Sequence, residues 1–246
     1  MSTPNLEGLR VAILAADGVE QVELTRPREA LEGAGAECEV ISLRPGSIQG
    51  MNAMATGKKI PVDRTVAAAN PARYDALLLP GGHFSPDFLR QSDEVLEFVR
   101  AMDRAGKPVA VICHGPWVLV SAGLVRGREL TSWPGIRDDV RNAGGLWRDE
   151  AVVLDGNWVS SRGPHDLKKF NRAMLELFAG EAPFADVEEG TGAAMSLGGL
   201  LASGLAVAAI GYGLRQWQGS QEPPPESYAG RSTADTAAFV ETGSDL

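Results

Sequence analysis

From Arg10 to Ala179 the chain alternates short apolar runs with stretches whose apolar residues recur every third or fourth position. Arg10-Val-Ala-Ile-Leu-Ala-Ala16 has the length and unbroken apolarity of a buried strand, and Val19 to Ala34 has helical spacing closed by Gly33 and Gly35. Glu37 to Leu43 reads as a second strand, and Asp75-Ala-Leu-Leu-Leu79 as a third that stops at Pro80-Gly81-Gly82. Ser92 to Ala105 places Val95, Leu96, Val99 and Met102 on one helical face and ends at Gly106. Val109 to Ile112 then reads as a strand, Trp117 to Ala122 as a helix and Asp166 to Ala179 as a closing helix. Strands apolar on both faces need a cover on both faces, so the alternation predicts βαβ units and a parallel sheet between two helical layers.

Two intervals depart from that rhythm. Pro45 to Asp63 is rich in Gly and Met and predicts a short hairpin or extended excursion. Ala151-Val-Val-Leu-Asp155-Gly156-Asn157-Trp158-Val159-Ser160 holds two short apolar runs around Asp-Gly, a hairpin signal. The expected fold class is α/β: a flavodoxin-like three-layer α/β/α sandwich with a mostly parallel sheet. Ligands of such sheets bind at the carboxyl ends of the strands. The turn after the first strand, the Pro80-Gly81-Gly82 loop and the turn at Cys113 all fall there.

Composition and charge add a second region. The 246 residues can hold one core of roughly 150 to 200 residues with an appendage. The net charge is −9, and the segment after Gly180 carries −7 of it, from nine acids against Arg215 and Arg231. No basic patch offers itself to phosphates, so nucleic-acid binding is disfavoured. The expected organisation is a catalytic domain over 1–180, an acidic linker over 181–189, an uncharged Gly/Ala/Leu-rich helix over 190–214 and a disordered acidic tail over 215–246. Residues 190–214, at about 1.5 Å of rise each, are long enough for an apolar bilayer core of about 30 Å. They are a candidate membrane anchor, but their six Gly and six Ala beyond Thr191 suit equally a segment packed on the domain or left mobile. No secretory signal opens the chain, so the catalytic domain is expected in the cytoplasm. Two cysteines, Cys38 and Cys113, form no disulfide framework, and no Cys/His spacing matches a zinc site; neither metal nor cofactor is implied.

The candidate chemistry centres on Cys113. A β-branched strand ends in Cys113-His114-Gly115-Pro116 and a helix follows, which seats a thiol on a strand-to-helix elbow. Outward-facing N–H groups and the helix dipole would favour thiolate over thiol there. Cys38 sits mid-strand and reads as structural. His114 is the adjacent imidazole, either a base for the thiol or a neighbour whose N–H joins the amides of Gly81 and Gly82, with Gly115, in an oxyanion-binding turn. His83 and His165 lie near strand ends and read as surface or supporting groups. Glu20 and Glu23 fall one helical turn apart after the first strand. Both suit a solvated first turn; a carboxyl at Glu20, at the sheet's end, could equally share a proton with the thiol, and the sequence alone does not choose between the two.

The stretch from Leu9 to Phe178 resembles the ThiJ/PfpI family, in its PfpI-like branch of intracellular proteases and general stress proteins within the class I glutamine amidotransferase-like superfamily. The resemblance rests on Asp17-Gly18-Val19-Glu20-Gln21-Val22-Glu23-Leu24, Leu79-Pro80-Gly81-Gly82, Ala110-Val-Ile-Cys113-His114-Gly115-Pro116, Thr131-Ser-Trp-Pro134-Gly135-Ile136-Arg-Asp-Asp139 and Asp155-Gly-Asn-Trp158-Val-Ser-Ser161-Arg162. It implies a reactive cysteine at Cys113, a histidine at His114 and a glutamate on the thiol, matched to Glu20. It also implies a homo-oligomer in which an acid from an adjacent subunit reaches the histidine. That position matches Asp87, in a loop one residue longer than the family's and with Asp in place of Glu. Three activities follow: glyoxalase or deglycase chemistry on small reactive carbonyls, peptide hydrolysis, or a redox sensor whose cysteine oxidises to a sulfinate. A small elbow pocket favours the first. A glutamine amidotransferase would need a distant His and Glu that the sequence does not display.

Overall fold

The computed structural model describes residues 4–180. The linker, the uncharged segment and the tail read from the sequence over 181–189, 190–214 and 215–246 lie outside the described residues. Among the described residues no helix is long and apolar enough to cross a membrane.

The strands in chain order are β1 (Arg10–Leu14), β2 (Val19–Glu20), β3 (Glu37–Ser42), β4 (Gly46–Asn52), β5 (Ala55–Val62), β6 (Arg64–Thr65), β7 (Ala76–Leu79), β8 (Val109–Ile112), β9 (Glu129–Leu130), β10 (Leu146–Trp147), β11 (Val152–Asp155) and β12 (Trp158–Ser161). The helices are α1 (Gln21–Gly33), α2 (Ser85–Leu89), α3 (Asp93–Arg104), α4 (Pro116–Ser121), α5 (Arg137–Asn142) and α6 (Leu167–Phe178). Seven strands form the main sheet in the order β11-β12-β8-β7-β1-β3-β6. Every pairing in it is parallel except the terminal β11–β12 hairpin.

Alternation along each strand divides the core into two. Val11, Ile13 and Ala15 face one side with Leu24 and Leu31 of α1 and Phe170, Met174 and Phe178 of α6. Ala12, Leu14 and Ala16 face the other with Val95, Val99 and Met102 of α3, Val118 and Leu119 of α4 and Val140 of α5. The fold is thus the expected three-layer α/β/α sandwich. Val11, Ile13, Leu14, Leu77 and Leu78 are fully buried. Each such side chain contributes about 1.5–3 kcal/mol on leaving water, so the strands shared by both layers anchor the elements that carry the site.

The two irregular intervals are hairpins. β4 and β5 pair antiparallel, with an irregularity between Gln49 and Met51, and β4 takes β2 as its parallel neighbour. β11 and β12 pair so that Asp155 faces Trp158, leaving Gly156 at φ +58° and Asn157 as the turn. One boundary moves with consequence. The first helix was expected from Val19, but Val19 and Glu20 are held as strand by pairing with Gly50 and Met51, and α1 begins at Gln21.

Candidate active site

Three loops meet at the carboxyl ends of β1, β7 and β8. β8 stops at Ile112, and the Cys113 N–H continues the ladder by donating to the Ser161 carbonyl at 3.0 Å. Cys113 then takes φ +60°, a left-handed conformation that costs a non-glycine residue about 1–3 kcal/mol. The turn closes with Gly115 N–H donating to the Ile112 carbonyl at 2.9 Å, and Pro116 opens α4, where its missing N–H costs nothing. Gly115 is required by space: a Cβ there would stand 2.6 Å from the Leu79 carbonyl oxygen. The sequence-predicted elbow is therefore present, strained and backed by two strands.

The thiol's carboxyl partner is Glu23. It lies in the first turn of α1 with no exposed surface. Its Oε2 accepts from the Gly81 N–H at 3.0 Å, its carboxyl hydrogen-bonds the Cys113 thiol, and Oε1 is buried with no nitrogen or oxygen partner. Burial, outweighing those hydrogen bonds, pushes the carboxyl up to about 8. Burial also pushes the Cys113 thiol up, and the charge of Glu23 adds to the rise. The N–H groups of Gly82 and His114 point at the sulfur and oppose it. The expected bias toward free thiolate is thus corrected: α4 is six residues long, and desolvation outweighs the dipole of so short a helix. Gly81 permits the contact, since a Cβ there would lie 2.6 Å from both Cys113 Cβ and Glu23 Oε2.

His114 is buried, with Nδ1 3.3 Å from Cys113 Sγ despite their adjacency in sequence. Its ring is enclosed by Trp117 at 5.2 Å, Trp133 at 6.0 Å and His83 at 4.7 Å between centroids. Desolvation, with His83 adding, pulls its pKa down to about 4, so the imidazole is neutral at pH 7.

The other expected residues are placed as follows. Glu20 does not serve the thiol: at the end of β2 its Oε2 accepts from the Ala53 N–H at 2.9 Å, at the tip of the β4–β5 hairpin. Asp87, in α2, accepts from Gln91 Nε2 at 3.3 Å rather than from an imidazole of its own chain. Gly82, at φ +94°, sits against the Gly18 carbonyl and the Glu20 N–H and aims its own N–H at the sulfur. His165 is exposed and lies 3.1 Å from Asp166. Sequence reasoning missed the role of Glu23 and did not single out Trp133. The available signal was that Glu23 shares a helix face with Leu24, Pro27 and Leu31, all buried. A cleft of about 390 Å³ lined by Asp17, Ser42, Arg44, Ile48 and Phe88 lies beside this end of the sheet without including Cys113, Glu23 or His114.

Comparison with known proteins agrees with this geometry. Residues 9–177 match the model of the DJ-1/PfpI family. A deglycase of Pyrococcus abyssi is 47% identical over 169 residues, 69% of this chain and 99% of that protein. A candidate cysteine protease of Bacillus subtilis is 41% identical over 169 residues, 68% of this chain and 97% of that one. Among solved structures, a two-domain protein of Anabaena variabilis with DJ-1/ThiJ/PfpI-like and ferritin-like domains superposes with TM-score 0.66 at 35% identity. The match covers 75% of this chain and 52% of that one, so this chain spans about half the length of that structure. With a family match over most of its length and the nucleophile elbow in place, the chain belongs to the DJ-1/PfpI family.

Proposed function

We propose that this protein is a cysteine-dependent enzyme acting on small reactive carbonyls, of glyoxalase or deglycase type. The observation that carries the reading is the buried Cys113–Glu23 pair at a strained elbow. A proton lost from the pair leaves one proton between a carboxyl oxygen and a sulfur. With that proton on Glu23, the sulfur is a thiolate faced by the N–H groups of Gly82 and His114. Similarity to the Pyrococcus deglycase supports the same chemistry.

For a 2-oxoaldehyde the steps balance without a cofactor. Sγ bonds to the aldehyde carbon, the C=O electron pair moves to oxygen, and that oxygen takes the proton held on Glu23, giving a hemithioacetal and leaving Glu23 as a carboxylate. Glu23, whose Oε1 has no competing partner, removes the proton from that carbon and returns it to the neighbouring one, while the hydroxyl proton passes to the neighbouring oxygen. The product is a thioester of a 2-hydroxy acid. Water then adds to the thioester carbon, the C–S bond breaks, and the hydroxy acid leaves. The net change is addition of one water to the oxoaldehyde.

The test is lactate release from methylglyoxal by the full chain, wild type against Cys113→Ala. Lactate from the wild type and none from the variant is the expected result; none from either overturns the reading. Peptide hydrolysis is the second reading, favoured by the Cys113–His114 contact and by the Bacillus relative. Thiol-dependent cleavage of a fluorogenic peptide without lactate formation would select it.

A further inference from the structure

His83 has no part in the reading of Cys113 and Glu23, yet it is the exposed titratable side chain that stands against His114. The groups around the His114 ring are few. Nδ1 faces Cys113 Sγ, with Glu23 behind the sulfur. Trp133 stacks on the ring and Trp117 meets it edge-on. The charges near Trp117 are turned to that indole: Asp139 accepts from its Nε1 at 2.8 Å, and the Arg90 guanidinium lies 5.3 Å from its ring centre. Among the described residues no group hydrogen-bonds His114 Nε2. A buried imidazole walled by two indoles exchanges protons with water slowly unless a second group bridges the gap.

The His83 ring packs against that of His114, with centroids 4.7 Å apart and planes at 43°, and its backbone is fixed there. It follows Gly81 and Gly82, which are clamped against Glu23, Cys113 and the end of β2, and it precedes Ser85, whose Oγ accepts from the Ala16 N–H at 2.9 Å. We infer that His83 is the proton relay of this site, carrying the proton that His114 takes from attacking water out to solvent while the Cys113 thioester is hydrolysed. The inference rests on the reading of Cys113 as nucleophile given above. In the step, the water oxygen bonds to the acyl carbon, the C–S bond breaks, sulfur keeps its electron pair, and the proton passes from water to His114, then to His83 and bulk water. No oxidant, reductant or metal enters.

The relay is tested at the thioester, apart from the question of natural substrate. p-Nitrophenyl acetate acetylates Cys113 with a burst of nitrophenolate, and the later steady rate reports deacetylation. His83→Ala and His83→Gln should keep the burst amplitude and slow the steady rate roughly a hundredfold, the low end of what a positioned acid–base group contributes. Free imidazole should restore the Ala variant, as it would not restore a merely structural loss. A steady rate within twofold of wild type in both variants overturns the inference. So does a slowed rate that imidazole leaves unchanged. Failure of wild-type protein to form lactate from methylglyoxal would instead count against the proposed substrate class, and the deacetylation result would still decide the role of His83.

Discussion

Glu23 and Cys113 hold their protons for one reason: both are buried, so a charge on either is expensive. The consequence for activity is a dependence on pH. The pair gains its reactive negative charge as Glu23 ionises, so kcat/KM for methylglyoxal should rise with pH and level off above about 8. In Glu23→Gln that rise should vanish and turnover should fall at least about a hundredfold. The consequence for stability runs the other way. An unfolded Glu ionises at about 4.5, whereas the folded carboxyl keeps its proton to about 8, so the folded state binds the extra proton between those values and stability falls as pH climbs through them. Each unit of separation is worth about 1.4 kcal/mol, so the loss amounts to several kcal/mol. Gln carries no such titration. Urea unfolding should find the two proteins close at pH 5 and the Gln variant the more stable at pH 8.5, a site that trades stability for reactivity.

At the scale of elements, the site depends on loops fixed to strand ends. Ser85, fully buried at the start of α2, ties that helix to β1 by accepting from the Ala16 N–H. Ser85→Ala should leave this N–H without a partner and cost about 1–3 kcal/mol in denaturant unfolding. It should also lower turnover, because the segment from Gly81 to Ser85 carries the amide on Glu23, the amide on the sulfur and the imidazole of His83. Unchanged stability would show that water replaces the hydroxyl. The β4–β5 hairpin acts at the same scale. By pairing with β2 and taking the Glu20 carboxylate at the Ala53 N–H, it draws Glu20 away from the thiol.

For the whole molecule, among the described residues the two core clusters run from Leu6 to Ala179. We propose that these clusters make a self-sufficient domain, so a chain ended at Gly180 should unfold at the same urea midpoint as the full protein and form lactate at the same rate per thiol. A lowered midpoint would show that the acidic region adds to the fold. The charge division bears on the same comparison: the acids beyond Gly180 hold most of the net charge of −9, so the shortened chain should focus at a higher pH than the full one.

Local pattern determined much of this protein. Continuous apolar runs require a sheet covered on both faces, and the runs from Arg10, Glu37, Asp75 and Val109 all became strands of it. Turn chemistry placed both hairpins, and Cys-His-Gly-Pro after a β-branched run placed the elbow, because Pro, Gly and chain direction act within a few residues. The partners of the thiol were not local. Glu20 and Glu23 differ little in sequence context, and a helix starting at Val19 would put Glu20 in line with Leu24, Pro27 and Leu31. Pairing of Val19 and Glu20 with a hairpin some 30 residues away starts the helix at Gln21 and gives the buried position to Glu23. The thiol's own ionisation was decided the same way, since a helix terminus can be read from sequence but the desolvation that outweighs it exists only once two layers close over the sheet.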